Sequence, residues 1–256
     1  LVQFAYFSAN PNKITMILIA VATSIGGVGI PLLTENYVKG DFRSAARLVQ
    51  DNLSMLIFFI LPATIGAVLV AEPLYTVFYG KPDGLALGLF IFAMLQTIIL
   101  SLYTVLAPMI QALFQNRKAI IYFLYGVGVK LVLQVPLIYI FKAYGPLLAT
   151  TVGLIIPILL MYQEIRKVTG LNPKNLFKRS LLSVILTVLM TIFVLVAELL
   201  IGLFLHPSGR ISSFVYIALI GGIGLAVYGG LALKVRLMDR FIGSKAASLR
   251  RRFHIY

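Results

Sequence analysis

The fold class this sequence predicts is all-α, a polytopic bundle of about seven membrane-spanning helices, and three observations predict it. Of 256 residues, 60% are hydrophobic and only 12% charged, with a mean hydropathy of +0.99, far from the balance of a water-soluble domain. Seven apolar runs each come close to the roughly 20 residues that a helix needs to cross a hydrocarbon core. Between the runs lie short connectors that collect most of the charges and turn residues.

The runs are Ile14 to Leu33, Asn52 to Phe78, Gly84 to Leu113, Ala119 to Ile140, Pro146 to Tyr162, Leu181 to Phe204 and Ile211 to Leu233. The first ends in Gly26, Gly27, Gly29 and Pro31, where small residues leave a thin helix face for a close neighbour and proline permits a bend. Residues 1 to 12 are apolar but interrupted by Asn10-Pro11-Asn12, and read as the tail of a preceding segment or an interfacial stretch. The connector Thr34 to Asp51 places Phe42, Ala45, Ala46 and Val49 at helical spacing among Arg43, Arg47 and Gln50, which predicts a short amphipathic helix on the inner membrane surface. Pro62, Pro108 and Pro157 fall inside later runs and Pro136 near the end of another; each frees a carbonyl and allows a kink. A longer basic loop, Gln163 to Arg179, separates five spans from a last pair. This divides residues 1–165 from 166–256, the pair packing through Gly221, Gly222, Gly224, Gly229 and Gly230.

Orientation follows from the distribution of cations. One set of connectors and the tail hold 17 of the 22 Lys and Arg: Lys39, Arg43, Arg47, Arg117, Lys118, Arg166, Lys167, Lys174, Lys178, Arg179 and the seven from Lys234 to Arg252. The alternate set holds Lys13, Lys81, Lys142 and Arg210. The positive-inside bias puts the first set in the cytoplasm, the amino end outside and the carboxyl tail inside. That tail, with Leu237, Phe241 and Leu249 among its charges, suits anionic lipid headgroups, as do the basic loops. A net charge of +14 spread over short loops is not the basic surface of a nucleic-acid-binding module.

Lys130 is the residue that most demands an explanation. It lies near the middle of an apolar run, where a cation costs on the order of 3 kcal/mol. Tyr122, Gly126 and Gln134 share its helical face, which predicts a polar face turned to a water-filled cavity, where Lys130 either attracts an anionic substrate or is satisfied by carbonyls or a carboxylate elsewhere. Gln96 and Tyr103, seven residues apart, could line the same cavity or join helices, with Gln111 nearer the inner end. Lys13, at the outer start of the first run, could meet a phosphate or a lipid headgroup, and Glu198 is a weaker candidate for ion coupling. There is no cysteine, and His206 and His254 lie outside the apolar runs, so neither a metal nor another cofactor is expected. No phosphate-binding loop, His-Glu-x-x-His pair or carboxylate cluster appears, which argues for a transporter rather than an enzyme. The chain starts at Leu1 with neither Met nor a signal sequence, and reads as part of a longer protein.

The segments Gly29 to Asp41 (GIPLLTENYVKGD), Leu61 to Ala67, Ala71 to Tyr75, Phe78 to Gly80, Gln111 to Lys118, Val129 to Ile138 and Tyr144 to Thr151 together resemble the multidrug/oligosaccharidyl-lipid/polysaccharide exporter superfamily. The resemblance covers about residues 10 to 165. It is strongest to bacterial polysaccharide biosynthesis proteins, including MurJ-type lipid II flippases. It implies most of the second of two six-helix lobes plus two extra helices, the first lobe being absent from this sequence. It also implies movement of an undecaprenyl-pyrophosphate-linked saccharide across the bacterial cell membrane by alternating access, with Lys130 and Lys13 available to the substrate. Other functions within reach are export of a capsule or teichoic acid unit, drug/cation antiport, or a non-transporting scaffold for cell-wall assembly.

Overall fold

The computed structural model describes residues 10–202 and 209–235, with side chains from Lys13 onward. The stretch before Asn10, the basic tail with Leu237, Phe241 and Leu249, and His206 and His254 lie outside the described residues. Nine α-helices are found among the described residues: α1 (Asn10–Val28), α2 (Ile30–Val38), α3 (Phe42–Leu69), α4 (Ala71–Tyr79), α5 (Gly84–Ala112), α6 (Asn116–Phe141), α7 (Gly145–Thr169), α8 (Pro173–Gly202) and α9 (Arg210–Lys234). Helices α6 and α7 join through a 3-10 turn, Lys142–Tyr144, into one apolar stretch of 54 residues. Counted apart, and with α1 and α2 taken together, they give seven rods of membrane-crossing length, in agreement with the all-α expectation.

The chain divides into two compact units. One contains the chain up to Ile60 with Asp83–Ser180; the other contains Leu61–Pro82 with the chain from Leu181. The core of the first is built from Leu33, Val49, Leu56, Leu106, Met109, Ile110, Met161 and Ile165, all fully buried. In a bilayer such a core is held by close packing more than by exclusion of water, because lipid tails are as apolar as leucine.

Proline chemistry sets the break between α1 and α2. Pro31 has no N–H for the Gly27 carbonyl and its ring crowds that oxygen, so the helix stops at Val28 and restarts with Pro31 in its first turn. A Cβ at Gly26 would lie 2.7 Å from Val105 Cγ2 on α5, and one at Gly29 would run into the Asn52 amide on α3. Gly27, expected to share that thin face, points into open space.

The inner connector differs from the expectation. No separate surface helix forms: α2 reaches Val38, a turn through Gly40 at φ 76° reverses the chain, and α3 runs unbroken from Phe42 to Leu69. Asp41 starts α3 by accepting the Ser44 N–H at 3.0 Å, and Ala45 and Val49 enter the core instead of a membrane surface. The bonds from Ser44 hold the exposed Asp41 carboxyl below its ordinary range. Its folded-state advantage is therefore present above the unfolded value and lost as pH falls through the lowered one.

The second run is also divided. Pro73 cannot donate to the Leu69 carbonyl, so α3 ends there, Val70 leaves helical geometry, and Ala71–Tyr79 forms a separate short helix. Pro62, Pro108, Pro136 and Pro157, in contrast, stand inside helices that continue through them. Nor is Gln163 to Arg179 a loop. Helix α7 continues to Thr169 and is closed by Gly170 at φ 70°, and Pro173 opens α8, which leaves a connection of three residues. Asn172 O accepts from Gln50 Nε2 at 2.9 Å, and Arg179 pairs with Asp51 at 2.5 Å, so the start of α8 is tied to α3.

In the second unit, α9 packs against α4, and Gly224 meets α8 with its Cβ direction 3.4 Å from Val194 Cγ2. Gly221, Gly222, Gly229 and Gly230 face open space, so the five-glycine contact expected for this pair reduces to Gly224.

Candidate functional site

The residues that organise the candidate site lie four apart along α6: Lys118, Tyr122, Gly126, Lys130 and Gln134. At 3.6 residues per turn they form one slowly drifting stripe. Sequence reasoning turned four of them, Tyr122, Gly126, Lys130 and Gln134, toward a cavity. Over its first three positions the stripe is instead the surface that packs on α7.

At one end, Glu164 of α7 has only 8% of its side chain exposed and accepts from Lys118 Nζ at 2.6 Å. The Tyr122 hydroxyl donates to the other carboxylate oxygen at 3.2 Å. A buried carboxylate is stable as an anion only when it is paired and hydrogen-bonded in this way.

One turn further on, Gly126 is buried against α7. Pro157 cannot donate to the Gly153 carbonyl, and this freed oxygen is what a Cβ on Gly126 would strike, together with Pro157 Cγ and Cδ at 2.9 Å. Reciprocally, a Cβ on Gly153 would lie 2.9 Å from the Gly126 carbonyl oxygen and 2.9 Å from Lys130 Cβ. The two backbones touch, as in crossings of membrane helices through small residues.

Lys130 emerges immediately beyond this contact. It is half-buried, and among the described residues it makes no hydrogen bond or ion pair. Gln134, the next residue of the stripe, is also half-buried. An ammonium without a protein partner keeps its three N–H donors available to an anion.

The other candidates are dispersed. Gln96 is buried and its amide donates to Leu147 O and to Thr151 Oγ1, both at 3.1 Å, so it joins α5 to α7. Tyr103 stacks against Phe123 of α6 with ring centroids 6.1 Å apart. Lys13 is exposed at the start of α1, and Glu198 is half-buried on α8 in the second unit. Among the described residues no group of three His, Asp or Glu is placed to hold a metal ion. Glu164 is the functional candidate that sequence reasoning missed, because it was assigned to a loop. Its signal was a lone acid in an apolar context, with Lys118 and Tyr122 one turn apart on the preceding helix.

Comparison with known proteins adds three findings. The sequence model of the family described as "Lipid II flippase MurJ" matches residues 9–219. The lipid II flippase MurJ of Bacillus subtilis (strain 168) is 29% identical over 247 residues, which is 95% of this chain and 45% of that protein. A solved structure of lipid II flippase MurJ in an inward closed conformation superposes with a TM-score of 0.66 at 17% identity, covering 88% of this chain and 45% of the other, a likeness of fold. This chain thus spans a little under half the length of the relatives it matches. With the family model aligned over most of the sequence, the chain belongs to the family of the lipid II flippase MurJ.

Proposed function

We propose that this chain is the second-lobe portion of a flippase that carries an undecaprenyl-pyrophosphate-linked saccharide, lipid II for peptidoglycan synthesis, from the inner to the outer leaflet of the bacterial cell membrane. The single observation that carries the reading is Lys130: a half-buried ammonium in an apolar helix, without a carboxylate partner among the described residues, in a chain of this family. The pyrophosphate meets Lys130, with Gln134 beside it, in a cationic space completed by a first lobe of the same protein. The lipid tail stays in the bilayer.

Residues 1–165 belong to the transporter core, and residues 166–256 supply the two additional helices and a basic tail. The basic connectors and the tail face the cytoplasm and contact anionic lipid. Alternating access opens the space to each side in turn, with Gly26, Gly29, Pro31 and the prolines of α3 and α5 as the places where helices bend. The driving force is a membrane potential or ion gradient, and Glu198 is the coupling candidate on this chain.

The test is Lys130→Gln in the full-length protein, at matched membrane abundance, with flipping of lipid II as the readout. Loss of one charge-assisted hydrogen bond to phosphate, about 1.5–3 kcal/mol, is expected to slow flipping at least about tenfold. Lys130→Arg is expected to retain most of the activity. Undiminished flipping in Lys130→Gln would remove the residue from the mechanism.

A further inference from the structure

We infer that α6 and α7 form a single rigid lever, fastened at three levels, so that conformational change in this protein moves the pair together and never slides one helix along the other. The three fasteners have independent physical origins.

At the turn end, the chain reverses through Lys142–Tyr144, with Lys142 at φ 50°. Gly145 there sits so close to the backbone of Leu137 and Ile138 that a Cβ would lie 2.5 Å from the Leu137 carbonyl oxygen. In the middle, the Gly126–Gly153 contact is made by backbone on both sides. Sliding α6 by one residue would replace a glycine at the crossing by Tyr125 or Val127, for which there is no space. At the far end, the Glu164 carboxylate is shared between Lys118 and Tyr122. Separation there would leave a buried anion without donors.

The breaks in the first unit lie elsewhere. The glycine–proline joint at Gly29 interrupts the rod formed by α1 and α2, and none interrupts α6 or α7 between their caps. Lys130 and Gln134 stand next to the middle fastener. The lever therefore presents them with an unchanged neighbour on the α7 side in every state.

The test does not depend on the substrate being lipid II. Tyr139 on α6 and Leu159 on α7 are both exposed and stand at well-separated heights along the pair, since Gly126 is level with Gly153 and Pro157, so a slide of one helix changes their separation almost in full. Each is replaced by Cys in an otherwise cysteine-free full-length protein, spin-labelled and reconstituted in lipid nanodiscs. Pulsed electron–electron resonance then reports the distance between them, with and without undecaprenyl pyrophosphate. One narrow distribution, unchanged on addition of the pyrophosphate, is the expected result. A second population displaced by more than about 5 Å, one helical turn of sliding, would overturn the inference. Glu164→Gln in the same background is expected to broaden the distribution. An unaltered width would remove the ion pair as a fastener and with it the three-level scheme. Should lipid II prove not to be the cargo, these distances still decide the question.

Discussion

Gly126→Leu is expected to abolish recovery of folded full-length protein, and Gly126→Ala to lower its thermal stability sharply. The obstacle is the Gly153 carbonyl and the Pro157 ring, neither of which can rotate away as a long side chain would. Overpacking of this kind costs about 1–3 kcal/mol even when neighbours can adjust, and here the neighbour is backbone. Gly128→Ala supplies the control. Gly128 lies two residues along the same helix with nothing within 4 Å of its Cβ direction, so alanine there keeps or slightly raises stability through better helix propensity. The measurement is the temperature at which the monomer peak is lost in size-exclusion chromatography after heating in detergent. Equal melting of Gly126→Ala and Gly128→Ala would show that the backbones are not in contact as described.

The second large effect concerns the Lys118–Glu164 pair, and its sign rests on unequal burial. Lys118 keeps 46% of its side chain exposed and can return to water or headgroups when its partner is neutralised, whereas Glu164 is 8% exposed and has nowhere to go. Lys118→Met is therefore expected to lower the melting temperature about twice as much as Glu164→Gln, because stranding a buried charge is worse than losing an exposed one. In the double variant Lys118→Met/Glu164→Gln the buried charge is gone, and stability should recover above that of Lys118→Met alone. A cycle in which the two losses simply add would deny the coupling.

The sequence made the bundle legible because the physics of spanning is one-dimensional: length, apolarity and the sign of the loops are all read without knowing any contact. Ile211 to Leu233 needed no partner to be recognised, and it matches α9 within a residue at each end. The errors fell where a short-range signal was outweighed by a long-range one. Phe42 to Asp51 looked amphipathic because Arg43 and Arg47 alternate with apolar residues, but Ala45 and Val49 belong to the core that holds Leu106 and Met109, while Phe42 stays exposed. Gln163 to Arg179 looked like a loop because it is basic. Glu164, however, is held by Lys118 from 46 residues away, and Gly170 marks the true end of the helix. Pro73 was readable as a helix stop and was passed over in favour of continuous hydropathy.

Lys130 illustrates the opposite case. Its improbable depth was plain from the sequence, and it is half-buried with no ion pair among the described residues. The stripe around it was read with the right period and the wrong neighbour. Tyr122 and Gly126 serve the α7 contact, and only Lys130 and Gln134 lie beyond it.

The three-residue turn between α6 and α7 also bears on biogenesis. Three residues span at most about 11 Å, far short of the bilayer, so the end of α6 and the start of α7 lie at the same face of it. The two helices are therefore expected to enter the bilayer together, as a helical hairpin. The tip of that hairpin carries one cation, Lys142.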